Sequence, residues 1–535
     1  MERSNSFIDL EDFTKIAKKV WTHAKEEKRL IDNPSDKELR KLIEKQSGVK
    51  KTVYGNLVVE SEPTSRAALF TKNSVDYSFG VEEQQLLSQC EKVLADNTLI
   101  SIDLRVGNAK SKTTVRLIVP DYFADVAYGG KNLFSSVRGD LEDPTYQILF
   151  FSDEAFETNK MKSLPQKDIT IRLAMLNDGR VIKIIRNSSY IGEFKKGVFA
   201  SEDWNAKIRK RGIFLHAGCR EDYLQSSIGE YKIVRSLFLA LSANGKTSTT
   251  SKILARKGHE TSWLIQDDGG TLMTDGSFLG FEAGGIFVKT EDVNPGSQRE
   301  IFYGLLKPST LLENVHVTEN GDLDFYKTER TSNGRAVILR RDFMHASTHI
   351  DVDRIDNLCL ITRGSLIPAI AKLTREQAVA LMIIGQAMES SAGDPTRIGE
   401  IRSEFFYDPF VAGDRAEHAN QFYQILKGLP HLNYFLLNTG GIGEGNRYKE
   451  ITLEHTMNIL DSLLRGGFKG IWMDSPTGFK VPKAVRMVDD IYLHPERLYS
   501  STQFEERQKQ LNKFRKEAID KIGKSLNNTI RVIFS

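Results

Sequence analysis

The sequence predicts a two-domain α/β protein, and three observations point to it. Short β-branched or alternating runs separated by turn clusters fill the region between Val53 and Ile185, with helical patterns before it and late in the chain. The apolar run 237–241 (LFLAL) breaks into a small-residue turn, Ser242-Ala243-Asn244, and ends in Gly245-Lys246-Thr247. A second apolar run, Trp263-Leu264-Ile265, ends in Gln266-Asp267-Asp268-Gly269. Strand, tight loop, helix, strand and paired carboxylates thus follow in the order a P-loop mononucleotide-binding domain uses.

In chain order, residues 10–45 predict helix, with Ser35 and Glu38 forming a capping box just after Pro34. Strands follow at 99–104 (LISIDL), 115–119 (VRLIV) and 148–151 (ILFF). Residues 212–216 begin a further strand, and strands and glycine turns dominate from there to Gly285. Helices return after Pro368, at 375–391 with an amphipathic pattern and at 504–521. The expected organisation is a helical N-terminal segment 1–50, an α/β domain 51–211 and a C-terminal domain 212–535 that carries the phosphate loop. No internal repeat or low-complexity segment interrupts it.

Composition narrows the function class. At 535 residues the chain is too long for one small core. Lys+Arg 74 against Asp+Glu 71 gives a net charge of +3, so the bulk charge points to neither nucleic acid nor a membrane surface. Three scattered cysteines, Cys90, Cys219 and Cys359, make no disulfide framework or cysteine-based zinc site and favour a reducing compartment. The chain opens on charged residues without a signal-peptide core, and its longest apolar run, 378–384, is far short of a membrane span. A cytoplasmic protein, monomeric or a small homo-oligomer acting on small molecules, is expected.

The chemistry sits in the punctuation between strands. A phosphate loop needs backbone N–H groups facing an anion, a lysine for the distal phosphates and a hydroxyl for Mg²⁺. Gly245, Lys246 and Thr247 supply the second half of that, with Ser242, Asn244 and Ser248 around them. The same tripeptide also occurs as a plain helix-start turn, and Asp267-Asp268-Gly269 as a simple Asp-Gly turn. His216 ends a strand, where it is either a ligand or a hydrogen-bonded structural histidine. Tyr190-Ile191-Gly192-Glu193-Phe194-Lys195-Lys196-Gly197 sets two lysines after a glycine turn, a pattern that on its own is a solvated loop.

Together these segments resemble the ATP-dependent phosphoenolpyruvate carboxykinases. Tyr-x-Gly-Glu-x-Lys-Lys-Gly, a strand ending in His, the phosphate loop and Asp-Asp stand in that family's order. Leu312-Glu313-Asn314-Val315, Asp324-Phe325, Asn333-Gly334-Arg335, Ala371-Lys372-Leu373-Thr374 and Leu437-Asn438-Thr439-Gly440 resemble its further motifs, so the similarity runs over roughly 60–465. The resemblance implies a two-domain fold with the active site in the interdomain cleft, 51–211 being the substrate side and 212–535 the nucleotide- and metal-binding domain. It also implies conversion of oxaloacetate and ATP to phosphoenolpyruvate, CO₂ and ADP, as in gluconeogenesis. Lys196, His216 and Asp268 would hold Mn²⁺, the lysine as a neutral amine. Thr247 would bind the Mg²⁺ of ATP, and Lys246 would neutralise the transferring phosphoryl group. Arg66 and Arg335 would bind the dicarboxylate, Tyr190 would lie near the departing carboxyl group, and Thr456 would contact the adenine. Asp267 and Glu282 would stand close behind, and residues 374–394 would form a lid region.

The chain departs from the family at several points. Ala240 and Ala243 replace glycines of the phosphate loop, Ser248 replaces a threonine, and 281–285 is one residue longer. Around 362–365 the family's Asp-Ala-Phe-Gly is missing, Glu450 falls where an arginine is expected, and Arg66 runs into Ala67-Ala68-Leu69. These differences keep two alternatives in view: a kinase of the same fold acting on another small carboxylate or hydroxyl compound, and a nucleotide-binding protein without turnover.

Overall fold

The apolar runs of the first half of the chain become a mixed sheet. The computed structural model describes residues 8–62, 69–137, 139, 141–153, 169–241, 244–256, 258–328, 331, 333–388, 401–468 and 470–534. Within them the sheet runs Leu30–Asp32, Leu99–Arg105, Thr114–Pro120, Tyr146–Phe151, Val181–Arg186, Thr170–Met175, Thr71–Asn73. The predicted strands at 99–104, 115–119 and 148–151 are its central members. One face carries Leu99, Ile118, Leu149, Ala174 and Ile184, on which the helices Glu11–Glu26 and Val81–Ala95 pack through Phe13, Ala17, Val20, Leu87 and Cys90. Inside the sheet, Asp103 and Arg116 are cross-strand partners joined by two hydrogen bonds of 2.7 and 2.8 Å.

The helical segment expected over 10–45 is two helices with a short strand between them. Helix Glu11–Glu26 ends ahead of Lys28 and Asn33, both in left-handed backbone, and between them Leu30–Asp32 joins the sheet parallel to Leu99–Ser101. Leu30 and Ile31 gain more by edge pairing and burial than a continued helix would give them. The second helix, Asp36–Ile43, begins at the Ser35/Glu38 capping box, as the sequence indicates.

Contacts divide the chain into two compact units, residues 1–210 with 281–344 and 348–350, and residues 211–280 with 345–347 and 351–535. A single cut at residue 211 leaves out this return. Its cause is a second sheet of the first unit, in which Leu311–Glu313 lies parallel to Leu57–Val59 and antiparallel to Arg335–Leu339.

In the second unit the sheet order is Thr261–Gln266, Ala217–Gln225, Tyr231–Leu239, Asn357–Thr362, Asn433–Asn438, Ile370–Leu373, Lys480–Pro482, Trp472–Asp474. The three central strands, Tyr231–Leu239, Asn357–Thr362 and Asn433–Asn438, are parallel. Their continuous apolar runs follow from burial on both faces. Leu237, Leu239, Leu358 and Leu360 belong to one core with Arg375–Ile384 and Arg415–Lys427, whereas Phe238, Cys359, Ile361 and Leu437 belong to another with Leu453–Leu464.

The helix predicted over 375–391 is Arg375–Ile384, stopped by Gly385 in left-handed backbone. It is buried all round from Ala378 to Ile384 rather than amphipathic, since the sheet, Arg415–Lys427 and the C-terminal helix Ser501–Asp520 pack around it. Ser390 to Gly393 lie outside the described residues. Among the described residues no helix is long and apolar enough to cross a membrane.

Phe13 ties the first helix to the core, fully buried with Phe79 at 5.8 Å between ring centroids. Phe13→Ala is therefore expected to cost about 3–5 kcal/mol, measured as a lower urea midpoint; an unchanged midpoint would mean that this helix is an appendage.

Candidate functional site

The second unit builds a candidate site where strands end. Tyr231–Leu239 runs on into buried Ala240 and Leu241, and the chain turns at Gly245 with φ +88°. A Cβ there would meet no atom within 4 Å, so glycine is required by backbone conformation and not by space. The helix Lys246–Ser251 follows, its first turn closed by Thr249 Oγ1 donating to the Gly245 carbonyl and Thr250 Oγ1 to that of Lys246, both at 2.7 Å. Asn244 is fixed from across the sheet, its carbonyl accepting from Thr439 Oγ1 at 2.9 Å.

Beneath this helix lies a buried ion pair that the sequence reading missed. Arg220 donates to both carboxylate oxygens of Asp222 at 2.7 Å, and its remaining Nη1 donates to the Thr249 carbonyl at 2.6 Å. Gly218, two residues earlier on the same strand, has no room for a Cβ against Thr250 and the Asp267 carbonyl. The alternation Cys219-Arg220-Glu221-Asp222 in a strand was the available signal, because a charged residue on a buried face needs a partner.

Three predicted residues converge here. The Lys246 amine is paired with Asp268 Oδ1, and His216 Nε2 lies 3.0 Å from the same oxygen. His216 follows Gly212–Leu215, and Asp267-Asp268 precede Gly270–Met273; the antiparallel register Leu215↔Gly270 sets them side by side. On its other side His216 Nδ1 is 3.0 Å from the Tyr407 carbonyl. A carbonyl only accepts, so Nδ1 carries a hydrogen, and in the neutral ring Nε2 then aims a lone pair at a carboxylate oxygen. A positive centre between them, a proton or a metal cation, would suit both atoms, and the Lys246 ammonium already stands on the carboxylate side.

The first unit holds a cluster of its own, around the helix Gly192–Arg209. Glu193 is buried between two lysines: Lys183 Nζ donates to its Oε2 at 2.9 Å and Lys196 Nζ to its Oε1 at 2.7 Å. Burial opposes the charge on Glu193, but the two ammonium groups outweigh it and hold the carboxyl at about 2. For Lys196 burial likewise opposes the charge, and Glu193 with Tyr190 more than offsets it, so the amine stands above its ordinary range. The resemblance implies a neutral Lys196 on a bound cation, whereas the Glu193 carboxylate beside it favours the charged form. Lys195 pairs with buried Glu282 at 3.0 Å between the rings of Phe199 and Phe287.

Tyr190 and Arg335 belong to the same cluster. The Lys196 amine lies over the Tyr190 ring at 4.9 Å, and that ring covers Gly192, where a Cβ would overlap it. Arg335, the cross-strand partner of Lys289 and Glu313, is close enough for its charge to act on Lys196.

Other predicted residues stand apart or out of reach. Thr456 is buried in Leu453–Leu464, its hydroxyl donating to the Thr452 carbonyl at 3.2 Å. Thr247 and Ser248 are half-buried in the first turn after Gly245. Arg66 and Ser242 lie outside the described residues. Among the described residues no group of three or more His, Cys, Asp and Glu stands together as metal ligands; the implied set differs in joining one imidazole and one carboxylate to an amine.

With Arg220 replaced by Met, Asp222 is left buried and uncompensated; Asp222→Leu completes the cycle. We expect a loss of about 3–5 kcal/mol in a urea titration, most of it recovered in the double variant Arg220→Met/Asp222→Leu; an additive double variant would remove the pair from this role.

Comparison with known proteins agrees with the motifs. The model of the family described as phosphoenolpyruvate carboxykinase matches residues 29–491. A protein named phosphoenolpyruvate carboxykinase (ATP) from Aeropyrum pernix is 28% identical over 325 residues, 60% of this chain and 63% of the relative. Proteins of the same name from Christiangramia forsetii and Wigglesworthia glossinidia brevipalpis are 26% identical over 383 residues (69% of this chain, 68% of the relative) and 27% over 461 (82% and 79%). The match to the Aeropyrum protein thus spans under two thirds of that relative's length.

Proposed function

The chain belongs to the phosphoenolpyruvate carboxykinase family, and from that premise we propose that it converts oxaloacetate and ATP to phosphoenolpyruvate, CO₂ and ADP. The observation that carries the proposal is the Asp268 carboxylate with His216 Nε2 and the Lys246 amine both on its Oδ1, at the foot of the Gly245 turn.

In this reading Arg335, with Arg66, binds the carboxylates of oxaloacetate through paired N–H groups. The charge of Arg335 favours an anionic substrate, and Tyr190 sits beside the carboxyl group that leaves as CO₂. Loss of CO₂ moves the C–C bonding pair into an enolate, whose oxygen attacks the γ-phosphorus of ATP while the bond to ADP breaks. Lys246 spreads the charge of the transferring phosphoryl group. Asn244, Gly245, Thr247 and Ser248, with Ser242, form the phosphate cradle, and Thr456 lies on the adenine side.

The donor set suits the metals the family implies. An imidazole nitrogen and a carboxylate oxygen converge with their lone pairs, as a borderline-hard divalent cation requires. Mn²⁺ would be held by His216, Asp268 and Lys196, the last once its proton is given up, and Mg²⁺ by Thr247. Bound there, the two ions would supply Lewis-acid stabilisation of negative charge.

Purified protein given Mn²⁺, oxaloacetate and ATP is expected to form phosphoenolpyruvate. His216→Ala and Lys246→Ala should each lower kcat by roughly a hundredfold or more, and a chelator should abolish turnover until Mn²⁺ is restored. ATP consumed only with another acceptor would favour a kinase of the same fold, and nucleotide binding without turnover would end the enzymatic reading.

A further inference from the structure

The Leu-Glu-Asn segment 312–314 has no part in the reaction above, yet its side chains are committed. Glu313 is fully buried at the end of its strand, and its Oε1 accepts the backbone N–H of Ile191 at 3.1 Å. Asn314, in left-handed backbone at φ +60°, exchanges two hydrogen bonds with Ser61: the Ser61 N–H donates to Oδ1 at 3.0 Å and Nδ2 donates to Oγ at 2.9 Å. That locks the neighbouring residue Glu62, whose buried carboxyl accepts from the Ser188 hydroxyl and from the Ser189 N–H at 3.1 Å. Two carboxyl groups, one at the end of its strand and one three residues past the end of the parallel neighbour Leu57–Val59, therefore grip one turn, 188–191, just ahead of the helix that carries the lysines.

We propose that Glu313 and Glu62 are positioning residues, which fix the turn 188–191 and through it the Tyr190 ring and the Lys196 amine. A turn gripped at Ser188, Ser189 and Ile191 is held on both sides of Tyr190, whose ring lies over Gly192 and under Lys196. Burial, with the charges of Glu62 and Asp125, pushes Glu313 up to about 8, which favours the neutral acid. Glutamine copies that group in shape and in its accepting oxygen.

The test compares Glu313→Gln, Glu313→Leu and Glu313→Asp, the last of which withdraws the carboxyl by one methylene. Leu and Asp are expected to speed amide exchange in peptides covering 187–196 by about tenfold, and to raise the KM for oxaloacetate by about tenfold with the KM for ATP within twofold. Gln should stay near wild type in both. Wild-type exchange in the Leu and Asp variants overturns the proposal, as does a Gln variant no better than Leu, or a KM for ATP that rises equally. The Asp variant decides should the Leu variant fail to fold. The kinetic arm rests on the proposed reaction, whereas exchange does not: a wild type that makes no phosphoenolpyruvate sinks the reaction, and exchange alone then decides the role of Glu313.

Discussion

Charge held where little water reaches needs a partner, and much of this protein's chemistry is arranged by that requirement. Lys183, Glu193 and Lys196 form one chain of alternating charge, Lys195 and Glu282 a second pair, Arg220 and Asp222 a third, and Lys246, Asp268 and His216 a fourth group. Buried pairs of this kind return roughly their own desolvation cost and seldom add net stability. Their effect is positional. An ammonium tied to a buried carboxylate keeps one rotamer, and a carboxylate shared by two cations keeps one orientation, so the polar groups stand ready before any substrate arrives.

The backbone makes those positions possible. A strand end buried on both faces cannot slide in register without driving its side chains into the wrong core, so the buried end of Tyr231–Leu239, residues 236–239, delivers the Gly245 turn at a fixed depth. Close approach does the rest. Gly218 lets the helix Lys246–Ser251 sit against its neighbouring strand, where Arg220 reaches the Thr249 carbonyl, and Gly192 gives the Tyr190 ring its seat. Each glycine is required by a neighbour's volume, unlike Gly245, which is required by its own φ.

What the sequence made legible was whatever leaves a local trace. Apolar runs marked the buried strands, Ser35 and Glu38 marked a helix start, and Gly-Lys-Thr with Asp-Asp marked the end of the sheet where Lys246 and Asp268 meet. Partners from far along the chain left no such trace. The carbonyl that orients His216 comes from a residue 191 positions away, and Leu57–Val59 gives no sign that Leu311–Glu313 will pair with it. Glu193 stood inside a quoted motif without a role, because periodicity gives the face of a helix and not the two amines that share it. The helix expected across Leu30 failed for the same reason, since edge pairing with Leu99 outweighs local propensity.

The Tyr407 carbonyl shows what such a long-range partner costs and how the cost is met. Phe406 and Tyr407 are consecutive non-glycine residues in left-handed backbone, at φ +57° and +54°, a conformation worth about 1–3 kcal/mol of strain at each. Both are buried, and the Phe406 ring packs edge-on against His418 and Phe422 at 4.5 and 5.2 Å between centroids. Burying an aromatic side chain returns about 1.5–3 kcal/mol, so two of them offset the strain, and the kink holds only while the core around it is intact. The kink turns the Tyr407 carbonyl toward His216 Nδ1, which fixes the tautomer and leaves Nε2 as the accepting nitrogen. A relaxed backbone would put an N–H or nothing at that place, and the imidazole could then point either nitrogen at Asp268. The strain is therefore best understood as the device that makes one histidine nitrogen, and not the other, available beside the carboxylate.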